Sequence, residues 1–362
     1  MKTKNPFLLN QYISNKYFCS RVQETERIIS AVTNQRNIIV FSESGIGKTI
    51  LIKHLEAELK GLENYKFYYL GLKKIENLSQ FISELLGAIF NKNDLKKINR
   101  YFPELGFAIK INKQTKQRQI SLDKTEVNFE LIFEGIKKHL TTKNKKIVFA
   151  LDDIQSVLKY LSDYQIKILQ NFITFSENIS FILSANNLKA LGVLLEEDYE
   201  KTEKIELPKI DKKKYTKFIQ KRFSKENRKI TKNSIEYILN WSKTNSFYTH
   251  YLCNKLYESG YKKITKKAVK EIIQNIFVEY EFVFLTYKEL LSEYQWRLLK
   301  AIAKEGNVIR ITSTNFINDY NLNAPSSVKT AVNALIEKGL VVRKKNSYYL
   351  INVFFEKWLS QY

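Results

Sequence analysis

Two hydrophobic rhythms alternate along the chain up to residue 208, and only one continues beyond it. Short apolar runs stand at Ile38-Ile39-Val40-Phe41, Lys66 to Leu72, Ile147-Val148-Phe149-Ala150-Leu151, Ile179 to Ala185, and Ile205 with Leu207. Continuous runs of this kind suit strands buried on both faces of a parallel sheet. Helical spacing fills the gaps, with Val22, Thr25, Ile28, Ile29 and Val32, then Leu78, Phe81, Ile82, Leu85, Leu86 and Ile89, then Val127 to Leu140. Ser20 followed by Gln23 reads as a capping box for the first helix. Strands interleaved with helices predict an α/β, doubly wound, mostly parallel sheet over residues 1–208. Residues 91–125 break the rhythm, and Phe107 to Ile111 with Arg118 to Leu122 predict a small hairpin inside an insertion.

From Lys209 the period is helical only. Tyr215, Phe218, Ile219 and Phe223 mark one helix, Ile235 to Trp241 a second, Phe247 to Leu256 a third and Ala268 to Phe277 a fourth, predicting an all-α lid over 209–283. Residues 284–362 change again. A helix at Tyr294 to Ala303, a short strand at Val308 to Ile311 and a helix at Thr314 to Tyr320 precede a helix capped by Ser326 or Ser327 and ended by Gly339. Two short strands, Leu340 to Arg343 and Ser347 to Leu350, then pair across Lys344-Lys345-Asn346. That order predicts a winged helix-turn-helix domain with a basic wing.

A length of 362 residues allows roughly two or three such domains. The balance of 60 Lys+Arg against 37 Asp+Glu, net +23, attracts polyanions, although Lys spread along the whole chain fits an ordinary solvated surface equally well. The two cysteines, Cys19 and Cys253, lack neighbours at metal-ligand spacing, which excludes a disulfide framework and a zinc site. No run approaches the ~18 apolar residues of a membrane span, so a soluble cytoplasmic protein is expected, without membrane contact.

The chemistry centres on Ser42-Glu43-Ser44-Gly45-Ile46-Gly47-Lys48-Thr49, set between an apolar run and an amphipathic helix. It fits GxxxxGK[ST] except that Ser42 replaces the first Gly. In a loop of this kind the backbone N–H groups, here of Gly45, Ile46, Gly47, Lys48, Thr49 and Ile50, wrap a polyphosphate such as that of ATP. The lysine reaches the outer phosphates, and the Thr hydroxyl meets Mg2+. Asp152 and Asp153 end the run 147–151, where α/β sheets place their ligands. Asp152 suits the Mg2+ that Thr49 touches, and Asp153 suits orientation of the attacking water. Asn186 or Ser184, ending the next run, suits the outer phosphate or the water, or a plain turn. Phe18 and Arg21 suit the border of an adenine, or a packed ring and a surface charge. Arg222 and Arg228 are the lid's candidates for a phosphate. On the third helix of this domain Ser326, Ser327, Lys329, Thr330 and Asn333 face outward. With Arg343, Lys344 and Lys345 of the wing they suit DNA contact, with protein docking as the alternative.

These features together resemble the archaeal-type AAA-family ATPases of the wider STAND and Orc/Cdc6-like group, particularly versions common in Bacteroidota. The resemblance rests on Asn5-Pro6-Phe7, Tyr17 to Arg21, Gly47-Lys48-Thr49, Asp152-Asp153-Ile154-Gln155, Leu299 to Gly306, Ser326-Ser327-Val328 and Glu337-Lys338-Gly339-Leu340. It implies a P-loop ATPase core, a helical lid and a C-terminal winged helix. By position, Lys48 and Thr49 are implied for phosphate and Mg2+, Asp152 for the Walker B metal residue, Asp153 for the catalytic acid's place and Ser184 to Asn186 for the sensor. A nucleotide-dependent homo-oligomer and a protein partner stay open.

The chain departs from that pattern at Glu43-Ser44-Gly45, where the family carries Pro and Arg, and at Asp153, where it carries Glu. Asn245-Ser246-Phe247-Tyr248 replaces a Gly-x-Pro-like turn. No clear arginine finger sits before Glu203 to Leu207, where Lys201 is the nearest cation. The expectation is a slow, nucleotide-controlled switch acting on DNA, with a signalling scaffold that docks a protein as the alternative.

Overall fold

The computed structural model describes residues 5–9, 12–19, 21–90, 98, 100–102, 107–111, 118–122, 128–141, 145–174, 178–195, 202–225 and 227–361. It forms two compact units, Asn10–Lys209 and, together, Met1–Leu9 with Ile210–Tyr362. Lys201 lies outside the described residues.

The first unit is built on strands β1 (Ile38–Phe41), β2 (Tyr65–Gly71), β5 (Lys146–Asp152), β6 (Ile179–Ala185) and β7 (Glu203–Glu206), in the order β2-β5-β6-β1-β7. All neighbours run parallel, with β2 paired to β5 from Tyr65↔Lys146 to Gly71↔Asp152. β5 and β6 are buried almost throughout, as their apolar runs require. On one face α1 (Val22–Thr33) and α2 (Lys48–Lys60) bring Ile28, Val32, Leu51 and Leu55 against Val148, Ala150 and Ile182. On the other, α3 (Leu78–Ile89), α4 (Phe129–Thr141) and α5 (Asp163–Thr174) enclose Phe149, which stacks on Phe181 at 5.6 Å and on Tyr68 at 4.9 Å. Helices on both faces make the sheet doubly wound, and its carboxyl edge collects the loops that carry chemistry. The hairpin of the insertion forms as expected, β3 (Phe107–Ile111) antiparallel to β4 (Arg118–Leu122). The capping-box expectation fails at α1, whose N-cap position is Arg21 without a side-chain cap; Ser20 lies outside the described residues.

The second unit contains α6 (Lys212–Lys225), α7 (Lys232–Trp241), α8 (Ser246–Glu258) and α9 (Lys266–Glu289). It is not purely helical, since β8 (Lys229–Ile230) and β9 (Lys263–Ile264) pair in parallel. Residues 5–9 belong with it. Phe7 is fully buried against Phe223 at 4.8 Å, and Asn254 Nδ2 donates to the Phe7 carbonyl at 2.7 Å. Helix α9 runs unbroken through residue 283.

α10 (Glu293–Glu305), α11 (Thr314–Asp319), α12 (Pro325–Glu337) and the hairpin β10 (Val341–Lys344) and β11 (Ser347–Leu350) form the winged helix. The short strand expected at Val308 to Ile311 reduces to a single bridge, Val308↔Tyr348. Helix α12 starts at Pro325 with Ala324 at the N-cap, so Ser326 and Ser327 occupy its first turn and do not cap it. A proline at that position has its φ already set for the helix and loses no hydrogen bond. An unforeseen last helix, α13 (Val353–Leu359), buries Phe354, Phe355 and Trp358 against rings of α7 to α10.

Glu356 of α13 is 0% exposed, and its Oε2 lies 2.5 Å from Lys243 Nζ, which also donates to the Gly306 carbonyl at 3.0 Å. Lys243 and Thr244 both have left-handed backbone, φ 53° and 56°, so the chain turns here without glycine and Asn245 caps α8. Among the described residues no helix is long and apolar enough to cross a membrane.

A buried charge that loses its partner is destabilising. Glu356→Ala is expected to cost about 3 kcal/mol, the lower end of the range for broken buried pairs because Lys243 keeps partial access to water. Urea unfolding of the full chain measures it.

Candidate functional site

Residues 42–47 connect β1 to α2, and the turn depends on left-handed backbone at Gly45 (φ 80°) and Gly47 (φ 112°). Ser42, where the pattern has glycine, has no such requirement. Its N–H donates to the Ala185 carbonyl at 3.2 Å and simply prolongs the pairing of β1 with β6. Gly47 is the N-cap of α2, and no side chain caps it. The amides of Lys48, Thr49 and Ile50 open the helix without intrahelical acceptors, and the positive end of the helix dipole adds to them. Such a helix end is a seat for an anion.

Lys48 is 6% exposed. Its ammonium donates to the Ser42 carbonyl at 2.7 Å, the Glu43 carbonyl at 3.3 Å and Asn186 Oδ1 at 3.2 Å. Three donors thus tie the loop to the tip of β6. Burial pulls the Lys48 pKa below the ordinary lysine value, while Asp153 and Asp152 act in the opposite sense.

Asp152, 3% exposed, ends β5 beside the loop. Thr49 Oγ1 donates to its Oδ2 at 2.7 Å, Tyr69 Oη donates to the same oxygen at 3.1 Å, and Ser184 Oγ donates to Oδ1. Burial, followed by the charge of Asp152, raises the Tyr69 pKa, which keeps the phenol a donor. Asp153 has left-handed backbone, φ 60°; its N–H donates to Ser184 Oγ at 2.9 Å, and its Oδ1 accepts from Gln155 Nε2 at 3.1 Å. The donor set of Thr49 hydroxyl and Asp152 carboxylate is all oxygen and carries a negative charge, which fits Mg2+. Among the described residues no cluster of three or more His, Cys, Asp or Glu forms a different metal site.

Lys48, Thr49, Asp152, Asp153 and Asn186 therefore converge at one edge, joined by Ser184. Arg21 takes another position. It is 3% exposed, and its guanidinium donates to the Ile46 carbonyl at 3.0 Å, the Pro208 carbonyl at 2.6 Å and Glu24 at 3.0 Å, bracing the loop through its backbone. Phe18 stacks on His54 of α2 at 4.3 Å, and Tyr12 Oη meets the same imidazole at 3.0 Å. Burial lowers the His54 pKa. In the second unit, Arg222 lies over Phe218 at 4.9 Å and Arg228 over Tyr257 at 4.0 Å. Lys329, Thr330, Arg343, Lys344 and Lys345 are exposed on α12 and the wing, with Thr330 Oγ1 turned back onto the Ser326 carbonyl at 3.1 Å. Sequence reasoning missed Tyr69, which reads only as a strand former.

Residues 18–252 match the family model described as an ATPase domain predominantly from Archaea, and residues 282–361 match one described as a probable winged helix domain. Similar solved structures include the Walker-type ATPase paby2304 of Pyrococcus abyssi, 15% identical with a TM-score of 0.66 over 98% of this chain and 99% of that one. The ORC2 protein of Aeropyrum pernix, solved in ADPNP–ADP complexes, is 16% identical with a TM-score of 0.56 over 99% and 97%. The ORC1 protein of the same organism, solved with DNA, is 15% identical with a TM-score of 0.53 over 95% and 93%. At these identities the likeness establishes the fold. No curated protein matches the sequence.

Ser184 serves both Asp152 and the Asp153 amide. Ser184→Ala leaves a buried acceptor and a donor short of a partner, and is expected to cost about 1–3 kcal/mol in denaturant unfolding.

Proposed function

The chain belongs to the family of ATPase domains found predominantly in Archaea, and from that premise we propose that it is a slow Mg2+-dependent ATPase switch whose winged helix engages DNA. One observation carries the catalytic half. The Thr49 hydroxyl and Asp152 carboxylate meet at 2.7 Å beside a loop whose lysine is held at the tip of β6. The amides of Gly45 to Ile50 and the Lys48 ammonium would bind the phosphates, and Thr49 with Asp152 would hold the metal. Mg2+, when bound, neutralises phosphate charge. Asp153 would orient and deprotonate the attacking water, and Asn186, bonded to Lys48, would contact the outer phosphate or that water. In this reading Arg21 keeps the loop in shape and leaves the adenine to other groups.

Two features support slow turnover. Asp is one methylene shorter than Glu, and its left-handed backbone is a conformation that Asp tolerates better than most residues. Its carboxylate is also shared with Gln155. A nucleotide that is cleaved slowly holds one state long enough to act as a signal.

The DNA half rests on the exposed cations of α12 and the wing in a chain of net charge +23. Protein docking has one observation in its favour. Lys329 stands among short neutral residues on α12, and Thr330 spends its hydroxyl on its own helix.

Wild type should hydrolyse ATP in a steady-state phosphate-release assay, and Lys48→Ala should lose nucleotide binding. Asp153→Asn should retain binding and lose about a hundredfold or more in turnover, the scale of general-base catalysis. Wild-type turnover no higher than that of Lys48→Ala contradicts the enzyme assignment. Full-length protein should bind duplex DNA with an affinity that falls steeply with salt. Replacing Lys329, Lys344 and Lys345 by Ala should flatten that slope by about one unit for each phosphate no longer neutralised. Absence of duplex binding by wild type at low salt favours protein docking.

A further inference from the structure

We propose that Tyr69 is a positioning residue for the Mg2+ site, its phenol fixing the orientation of the Asp152 carboxylate. The proposal rests on the reading of residues 42–49 and Asp152 as a Mg2+–nucleotide site.

In the order β2-β5-β6, β5 lies between two strands that each send one hydroxyl to the carboxylate at its end. Ser184 of β6 donates to Oδ1, and Tyr69 of β2 donates to Oδ2 at 3.1 Å. Neither hydroxyl belongs to the phosphate loop, so both can hold the carboxylate while Thr49 exchanges its partners. A carboxylate gripped from both sides keeps one rotation, and Oδ2 stays toward the Thr49 hydroxyl.

The phenol is itself held in place. Tyr69 pairs with Ala150, and the Lys53 ammonium sits 3.2 Å from its ring centroid, tied to Glu56 at 2.9 Å. Gly71 follows on the same side of β2, in register with Asp152. A Cβ there would come within 3.0 Å of Tyr69 Oη and 3.4 Å of Cε1. Gly71 therefore leaves the space through which the phenol reaches Asp152. The two residues form one device, and each gives an independent variant.

Groups that orient a metal ligand typically alter metal affinity by about 10–100-fold when removed. The test is binding of a non-hydrolysable ATP analogue to full-length protein, followed by calorimetry across a Mg2+ series. Tyr69→Phe should need about tenfold more Mg2+ to reach full nucleotide affinity, with that final affinity near wild type. Gly71→Ala, which keeps the hydroxyl but displaces it, should shift the Mg2+ series in the same direction, and it carries the test if Tyr69→Phe fails to fold. A Tyr69→Phe series superimposed on that of wild type overturns the role of Tyr69 while leaving the site reading intact. A wild type that binds no analogue at any Mg2+ concentration overturns both.

Discussion

A carboxylate sunk to 3% exposure at the edge of an apolar sheet has to be compensated, because an uncompensated buried charge costs several kcal/mol. Asp152 meets that requirement with hydroxyls from three elements, Tyr69 on β2, Ser184 on β6 and Thr49 at the head of α2. The strand hydroxyls can reach it because β2 and β6 flank β5 in the sheet. The compensation also ties the phosphate loop to the sheet, since the same Thr49 that compensates the charge opens the helix. Lys48 adds the opposite charge, bonded to the loop carbonyls and to Asn186. The site is thus assembled by electrostatic necessity before any ligand is considered.

The second unit meets a similar constraint. Glu356 is fully buried, and Lys243 reaches it from a turn that holds two consecutive left-handed residues without glycine. Together with the rings of Phe354, Phe355 and Trp358, this pair fastens the last helix to helices α7 to α9. Helices α6 to α9 and the winged helix consequently form one compact unit, to which residues 5–9 are also bound.

What the residues disclose on their own follows from how local the determinant is. Ile147 to Leu151 could be recognised as a doubly buried strand because an unbroken apolar run has few other uses, and Gly47-Lys48-Thr49 because the loop's chemistry is contiguous. Tyr69 could not, since its partner lies 83 residues away and a tyrosine in a strand needs no special explanation. Arg21 was legible as important, but its acceptors on Ile46 and Pro208 are backbone carbonyls, which leave no mark in a sequence. The start of α12 is displaced from the serines because, although serine is a good cap, proline at the first helical position puts the N-cap at Ala324, two residues before Ser326. Helix α13 escaped notice because its apolar residues are crowded into a short segment with little room for a period to show.

The central claim is that the Asp152 carboxylate and the Thr49 hydroxyl are the protein's half of a Mg2+–nucleotide site. A crystal structure of the full chain grown with Mg2+ and a non-hydrolysable ATP analogue tests it directly. The account predicts phosphates on the amides of residues 45–50 and a metal ion beside Thr49 and Asp152, with Tyr69 and Ser184 still bonded to the carboxylate. A nucleotide bound elsewhere, or an Asp152 turned away from the metal, would contradict it.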